Sequence, residues 1–322
     1  MWWTFMLLYA LLFLIACWFL YRYTQAAHEP ESGLQGRVEP RQCDVSKSND
    51  RAAALCNIAS CVRCNTNQQL LCSAKHKFDQ VLSTCDRSSF LQRVSDAFTD
   101  TSIVSEHVFY IPDLSSKSIF DGFELNGLYD YSRILNLQDH WLDILGEYES
   151  IRPTEHKHGG WRSNNSFDND TNWLIYPLMS QGVWNQENTV RCPRTVQLLT
   201  SIESLMQDCV FGNAFFSVLP AGSMIAPHKG PTNARLRSHL ALIVPSTCAK
   251  CQLIINSQVV QWKAGGVTHF DDSFTHSVKY PDDYCDVCEN SEHVDRVLLL
   301  WDLWHPALTR REVECLKRCF SV

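Results

Sequence analysis

The stretch RLRSHLALIVP, residues 235–245, decides the fold. Alternate side chains of a β-strand share a face, so Arg235, Arg237 and His239 are expected to point the same way. Beyond His239 the stretch is apolar on both faces, which is typical of a strand inside a core. Because buried charge is costly unless it is paired, the polar face indicates either a solvated strand edge or a strand that faces an anionic ligand.

Short apolar or alternating runs recur on both sides of this strand, separated by turn signals such as Ala264-Gly265-Gly266. The runs are 211–219, 235–245, 252–256, 258–262, 267–271, 274–280 and 296–304. This spacing predicts a mainly β fold, a sandwich or jelly-roll-like barrel with flanking helices. Helical periodicity is visible upstream at Ile134, Leu137, Trp141 and Leu145.

The composition of the 322 residues is ordinary for a globular chain, with 45% hydrophobic residues and a net charge of −7. The length allows one large domain with a smaller region, or two domains. No long Lys/Arg block is present, so a nucleic-acid partner is not expected.

The N-terminal residues 2–20, WWTFMLLYALLFLIACWFL, carry no charge and have aromatic residues near both ends. A helix of about 17–25 apolar residues crosses a bilayer, so residues 1–23 are predicted to be an uncleaved transmembrane signal anchor. A cleaved signal peptide is the alternative. It is disfavoured because the run exceeds the roughly 7–15 residues of a signal core and no basic segment precedes it.

The orientation of this anchor depends on conflicting signals. Arg22 alone, by the positive-inside rule, predicts a cytoplasmic C-terminal part. Against it stand the 15 cysteines, of which 14 remain outside the apolar run once Cys17 is set aside, and two glycosylation sequons at Asn164 and Asn169. We expect a single-pass type II glycoprotein whose larger part is lumenal, in the endoplasmic reticulum or secretory pathway.

Cysteines are concentrated in a predicted stalk and Cys-rich segment, residues 24–100. It includes Cys61-Val62-Arg63-Cys64, which fits a zinc site in a cytosolic chain and disulfides in a lumenal one. The later pairs Cys248/Cys251 and Cys285/Cys288 leave the same two alternatives open. Cys315 and Cys319 are one helical turn apart and are candidates for a local or intermolecular cross-link.

His228 and His276 are the candidate metal ligands, the first in a predicted loop and the second near a strand start. Two histidines from separate strands of a small barrel can form a metal pair. A facial triad for non-haem iron normally includes a carboxylate two residues after the first histidine. That position is Gly230, so spacing alone counts against iron.

Three blocks carry a family resemblance: HKGPTNARLRSHLALIVP (228–245), FDDSFTHSVKY (270–280) and RVLLLWDLWHP (296–306). In order and spacing they resemble the signature blocks of the aspartyl/asparaginyl β-hydroxylase family. The chain resembles in particular its short, membrane-anchored aspartate β-hydroxylase domain-containing members, which share a segment like residues 61–64. The resemblance implies a cupin-like barrel (double-stranded β-helix). The resemblance implies that residues 101–322 form the oxygenase domain.

The family binds iron(II) with two histidines and no carboxylate, so the resemblance turns Gly230 from an objection into a match. It implies a 2-oxoglutarate-dependent dioxygenase that uses O2 to hydroxylate Asp or Asn side chains in lumenal or secreted proteins, with EGF-like or other Cys-rich domains as partners. The implied site residues are His228 and His276 for iron, Ser217, Arg237, His239 and Arg296 for 2-oxoglutarate, and Arg235 for the acidic substrate side chain.

Two other functions stay open. The founding enzyme has a helical-repeat region that helps to form its substrate groove, and this chain has none, so a non-protein substrate is an alternative. A non-catalytic, membrane-anchored scaffold that keeps the barrel is the other. Asp271 or Asp272 could fix the tautomers of the metal-binding histidines. The tryptophans Trp262, Trp301 and Trp304 are expected to serve core or rim packing.

Overall fold

Two antiparallel sheets form the core of this computed structural model. The described part of the chain holds twelve strands: β1 (Ile119–Phe120), β2 (Arg162–Ser163), β3 (Leu174–Ser180), β4 (Val183–Trp184), β5 (Ala214–Leu219), β6 (Met224–His228), β7 (Arg235–Ile243), β8 (Gln252–Ile255), β9 (Gln258–Val260), β10 (Val267–Phe270), β11 (His276–Lys279) and β12 (Arg296–Trp304). The larger sheet has the order β1-β10-β7-β12-β5-β3-β2, with β4 paired to β3, and the smaller has the order β6-β11-β8-β9.

The structure describes residues 68–84, 91–99, 107–114, 117–126, 131–153, 159–164, 173–245, 251–280 and 294–322. Contacts divide the chain into residues 1–42 and 43–322, and all described residues belong to the second unit. Among them, no helix has the length and apolar character needed to span a membrane. The predicted anchor at 2–20 lies outside the described residues, as do Cys61, Cys64 and the sequon at Asn169.

The seven strands predicted from the sequence are all present, with ends shifted by three residues at most. Five strands were missed, β1 to β4 and β6. The placement of His228 in a loop was wrong, because this residue ends β6. Pro227 explains the error, since proline cannot donate a hydrogen bond to a neighbouring strand and is tolerated at a sheet edge. β6 is such an edge, paired only with β11.

The two faces of the larger sheet bury two different cores. On β7, Leu236, Leu240 and Leu242 enter a core shared with the helices, whereas Ala241 enters the core between the two sheets. Arg235, Arg237 and His239 alternate with the helix-side leucines and lie on the inner face towards the smaller sheet. A single polar face on this strand is therefore confirmed.

Eight helices are present in the described ranges: α1 (Gln68–Thr84), α2 (Gln92–Thr99), α3 (Gly122–Asn126), α4 (Ser132–Asp139), α5 (Trp141–Ile151), α6 (Gln186–Thr189), α7 (Pro193–Thr200) and α8 (Arg310–Cys319). The predicted periodicity is confirmed as two helices, α4 and α5, which meet at His140. Ile134 and Leu137 are fully buried against the larger sheet.

The N-terminal helices share a third core with the C-terminal helix. Phe78 of α1 and Val94 of α2 are fully buried in it, together with Leu316 of α8. Arg93 binds both oxygens of Glu312, at 3.0 and 2.8 Å, and Glu312 also forms a capping box with Thr309 at the start of α8. Residues that the sequence assigned to a stalk and Cys-rich segment therefore pack against the end of the chain.

Candidate active site

Two imidazoles lie side by side in the smaller sheet. His228 ends β6 and His276 begins β11, and the two residues are direct partners in the antiparallel register. Directly opposed side chains in such a pair are close neighbours, and here the ring centroids are 4.1 Å apart. Strand pairing thus brings together the two histidines that the sequence singled out.

Backbone carbonyls fix the tautomer of both rings. Nδ1 of His228 is 2.8 Å from the carbonyl oxygen of Ala226, and Nδ1 of His276 is 2.9 Å from that of Phe274. A carbonyl oxygen only accepts, so each Nδ1 carries the hydrogen and each Nε2 carries the lone pair. A neutral imidazole oriented through its other nitrogen is the form that binds metal ions.

Burial keeps these rings neutral. It lowers the pKa of His228, and it lowers the pKa of His276 to about 3, with the neighbouring His228 adding to the effect. A protonated imidazole cannot bind a metal ion, so this shift favours a metal-binding pair. Within the described residues, no group of three or more His, Cys, Asp or Glu side chains is arranged to hold a metal ion.

The carboxylate of Asp272 takes the space where residue 230 would have a side chain. A Cβ built on Gly230 lies 2.5 Å from Cγ and from both carboxylate oxygens of Asp272. The backbone N–H of Gly230 also donates to the carbonyl oxygen of Asp272 at 2.6 Å. Only glycine fits at position 230, and the site has a carboxylate there that belongs to a different residue.

Two arginines hold this carboxylate. Nε of Arg235 donates to Oδ1 of Asp272 at 3.0 Å, and Nη1 of Arg237 lies 3.5 Å from Oδ2. Burial opposes ionisation of Asp272, but the two guanidinium groups outweigh it and lower its pKa. The expectation that Asp271 or Asp272 fixes the histidine tautomers was wrong, since the carbonyl groups do so and Asp272 binds arginine.

A second aspartate completes the charge network. Asp302 of β12 is the direct register partner of Arg237 and accepts two hydrogen bonds from it, at 2.9 and 3.1 Å. Asp302 also lies 3.4 Å from Nη1 of Arg235, which in addition donates to the carbonyl oxygen of Phe211. Arg235, assigned by the resemblance to the substrate, is only 3% exposed and bound on all sides by protein groups.

Arg296 is different because no carboxylate of the described chain pairs with it. It begins β12, is 1% exposed, and donates from Nη2 to the hydroxyl of Ser217 at 2.9 Å. Burial lowers its pKa to about 10, so it remains a cation at neutral pH. Uncompensated buried charge is costly, and an anionic ligand would compensate it.

Trp173 orients the same hydroxyl. Its indole N–H donates to Oγ of Ser217 at 2.9 Å, so Ser217 accepts from both Trp173 and Arg296. A hydroxyl that accepts twice keeps its own hydrogen to donate to a third group. Ser217 and Arg296 therefore present donors only, which suits a carboxylate.

His239 adds a further polar group without a protein partner. Both ring nitrogens are buried and have no hydrogen-bond partner among the described residues. Burial lowers its pKa well below the ordinary value, and Arg237 and Arg296 add to the shift. Ser217, His239 and Arg296 come from the adjacent strands β5, β7 and β12, and all lie on the inner face. The unsatisfied donors and the histidine pair thus fit a metal-bound dicarboxylate.

Comparison with known proteins identifies the family. The model for the aspartyl/asparaginyl beta-hydroxylase family matches residues 138–306, just over half of the chain. This chain belongs to that family. The match covers both histidines, the charge network and the arginine of β12, so the family's domain contains the whole site described above.

Relatives with the same domain extend the similarity. Aspartate beta-hydroxylase domain-containing protein 2 of Xenopus tropicalis is 28% identical over 323 residues, covering 96% of this chain and 81% of that protein. Human aspartate beta-hydroxylase domain-containing protein 1 is 35% identical over 144 residues, covering 45% and 34%. A Pseudomonas putida prolyl-4-hydroxylase structure aligns with 52% of this chain and 86% of its own, at 13% identity and a TM-score of 0.31, too low to assign a function.

The sequence analysis of this hydroxylase-family site did not identify the residues that hold the binding side chains in position. Trp173, Asp272 and Asp302 were not assigned their present contacts. Asp302 carried a readable signal, because it is separated by an even number of residues from Arg296 on the same strand and so shares its face. Trp173 precedes β3 and carried no such signal.

Six cysteines and the asparagine of one sequon fall within the described residues. Of the described cysteines, Cys72 is exposed and Cys192, Cys209, Cys251, Cys315 and Cys319 are buried, and all six are free thiols. Cys315 and Cys319 have their sulfur atoms 3.9 Å apart, which is contact and not a bond. Asn164, the asparagine of the first sequon, is 7% exposed, and the two residues that follow it lie outside the described residues.

Proposed function

We propose that this chain is an iron(II)- and 2-oxoglutarate-dependent dioxygenase with a double-stranded β-helix core that hydroxylates Asp or Asn side chains of lumenal or secreted proteins. The observation that carries the proposal is the pairing of His228 and His276, with equal tautomers, together with a buried Arg296 on the inner face that has no carboxylate partner in the described chain. The family relationship supports the hydroxylase class.

Each side chain has a task that follows from its contacts. His228 and His276 hold the metal ion through Nε2, because their Nδ1 atoms are already committed to carbonyl groups. Arg296 and Ser217 bind the distal carboxylate of 2-oxoglutarate with donors from two strands. His239, which is neutral, donates its one ring N–H to the same ligand.

Arg237 has a divided role. Its side chain is 15% exposed, donates two hydrogen bonds to Asp302 and lies 3.5 Å from the carboxylate of Asp272. We infer that it contributes positive charge to the cosubstrate site while Asp302 fixes its orientation. Arg235 acts on the substrate only indirectly, by holding Asp272, since its own donors are occupied.

When bound, iron(II) with 2-oxoglutarate and O2 supplies the oxidising chemistry that converts a C–H bond into C–OH, while 2-oxoglutarate becomes succinate and CO2. The protein contributes orientation and exclusion of water. Phe270, whose ring lies 5.0 Å from that of His239 and 5.3 Å from that of His276, forms an apolar wall between the metal pair and the anion-binding residues.

The same proposal includes a membrane location for the chain. We propose that residues 2–20 anchor the chain and that the domain is lumenal, where an EGF-like or other Cys-rich domain is the protein partner. The charge-free N-terminal run supports the anchor. Support from cysteines now rests on those outside the described residues, because the six described ones are free thiols.

Turnover of the full-length chain in detergent tests this proposal. With iron(II), ascorbate and 2-oxoglutarate, succinate should form and should increase when an EGF-like domain with a target Asp or Asn is added, together with a mass gain of one oxygen on that domain. Succinate that is indifferent to the domain would indicate a different substrate. Absence of both turnover and 2-oxoglutarate binding would favour the non-catalytic scaffold.

Single substitutions test the proposed role of each site residue. His276→Ala should abolish succinate formation, while His76→Ala, which removes an exposed histidine of α1, should leave it intact. Arg296→Lys should weaken 2-oxoglutarate binding by about 1–3 kcal/mol, because lysine lacks the planar fork that binds a carboxylate through two hydrogen bonds. Unchanged affinity in Arg296→Lys would remove this residue from the anion site.

A further inference from the structure

Trp262 lies next to two of the proposed anion-binding residues, Arg296 and His239, although the sequence analysis expected it only to pack in the core or at its rim. Its ring centroid lies 5.3 Å from the guanidinium carbon of Arg296 and 6.0 Å from the ring of His239, to which it is nearly parallel. It belongs to the loop between β9 and β10 and is 5% exposed. The indole therefore contacts two side chains from two strands of the larger sheet.

The indole nitrogen of Trp262 has no hydrogen-bond acceptor. Four buried side-chain nitrogen atoms without a partner among the described residues belong to Trp262, His239 and Arg296. Buried polar groups are normally satisfied, so each exception calls for an explanation. Clustering of these atoms on three touching side chains points to one shared ligand.

We propose that Trp262 is a binding residue for 2-oxoglutarate: its indole N–H donates to the carboxylate that Arg296 binds, and its ring face stabilises the guanidinium. The proposal rests on the proposed cosubstrate site and adds a residue to it. An aromatic face attracts a cation, and this attraction is stronger where water is excluded. The ring thereby keeps Arg296 in place before the anion arrives.

One substitution distinguishes the role of the indole N–H from the role of the aromatic ring face. Trp262→Phe removes the N–H donor but keeps an aromatic ring next to Arg296. Loss of one hydrogen bond to a charged group predicts a dissociation constant that is about tenfold higher or more. Trp301→Phe is the matched control, because Trp301 is also fully buried with an unpartnered N–H but lies in the core on the opposite face of the larger sheet.

Calorimetric titration of the full-length chain with 2-oxoglutarate, in the presence of iron(II) and without O2, measures this affinity without turnover. Weaker binding in Trp262→Phe with unchanged binding in Trp301→Phe supports the proposal. Equal affinity in wild type and Trp262→Phe, with weaker binding in Arg296→Lys, overturns it while keeping the anion site. Unchanged binding in Arg296→Lys contradicts the cosubstrate site itself.

A second measurement does not depend on folding of the variant. A tryptophan band in the near-ultraviolet circular dichroism spectrum of the wild-type chain should change when 2-oxoglutarate binds, because the environment of Trp262 changes. No response of the tryptophan bands to saturating 2-oxoglutarate overturns the role of Trp262 even if Trp262→Phe does not fold.

Discussion

Replacement of Gly230 by alanine should destabilise the fold through Asp272. The added Cβ would lie 2.5 Å from three atoms of the Asp272 carboxyl group, whereas ordinary van der Waals contact begins at 3.4 Å. The carboxylate must therefore move by about 0.9 Å, the difference between these values. It cannot swing freely, because it is fully buried and held by two arginines.

The expected cost follows from the contact that this shift breaks. A displacement of 0.9 Å directed along the hydrogen bond from Nε of Arg235 would lengthen it from 3.0 Å to about 3.9 Å, beyond hydrogen-bond range, and this is the largest effect that the shift can have on it. Removing one partner of a buried ion pair costs about 3–5 kcal/mol, and a displaced partner less. We expect Gly230→Ala to lower the free energy of unfolding by about 2–4 kcal/mol.

Urea unfolding of the full-length chain, followed by tryptophan fluorescence, measures this loss. Gly146→Ala is the control, because no atom lies within 4 Å of the added Cβ there and alanine favours the helix α5. The cause is tested by repeating Gly230→Ala in an Asp272→Ala background, where the obstructing carboxylate is absent and the second substitution should cost less than about 1 kcal/mol. Equal costs in both backgrounds would refute the steric argument.

Two further predictions concern the stability of the fold. Burial lowers the pKa of His269 to about 3 and that of His305 to about 4, so both stay neutral when folded and take up protons only on unfolding as the pH falls below about 6.5. Metal-free protein should lose about 1–3 kcal/mol of unfolding free energy per pH unit below about 6.5, and urea midpoints that do not change towards about pH 4.5 would contradict this. Arg93→Ala should lower the free energy of unfolding by about 1–3 kcal/mol, because it leaves Glu312, which is 3% exposed, without its ion-pair partner. Arg310→Ala, which removes the exposed ion pair with Glu314, should leave the thermal midpoint almost unchanged. Equal midpoints for these two variants would show that burial of Glu312 does not matter.

Period-two patterns predicted the strands because each one buries at least one face. The assignment of Arg235, Arg237 and His239 to one side of β7 needed only the alternation of a strand, and the contacts confirm it. Five strands were not predicted, and among them β6 is short, lies at an edge and contains Pro227. Edge strands face weaker packing constraints than central ones, so their sequences carry a weaker pattern.

Contacts between distant segments were harder to predict. Asp272 reaches Gly230 because the chain after β10 returns to the loop after β6, and no local pattern encodes that approach. The pair of aspartates also differs in environment: burial raises the pKa of Asp271 to about 7, while two guanidinium groups lower that of Asp272. Adjacent, chemically equal residues therefore could not be distinguished before their partners were known.

The missing carboxylate of the His-x-Gly motif has an electrostatic consequence. The carboxylate of Asp272 is present at that place. Asp272 and Asp302 carry two negative charges, and Arg235 and Arg237, which pair with both of them, carry two positive charges. Both imidazoles are neutral, so protein groups next to the metal-binding position add almost no net negative charge. Little negative charge of the protein therefore repels a dianionic ligand in this site. Arg296, whose own charge has no carboxylate partner in the described chain, attracts it. Glycine at position 230 therefore permits a carboxylate that shapes the site without competing with the anion.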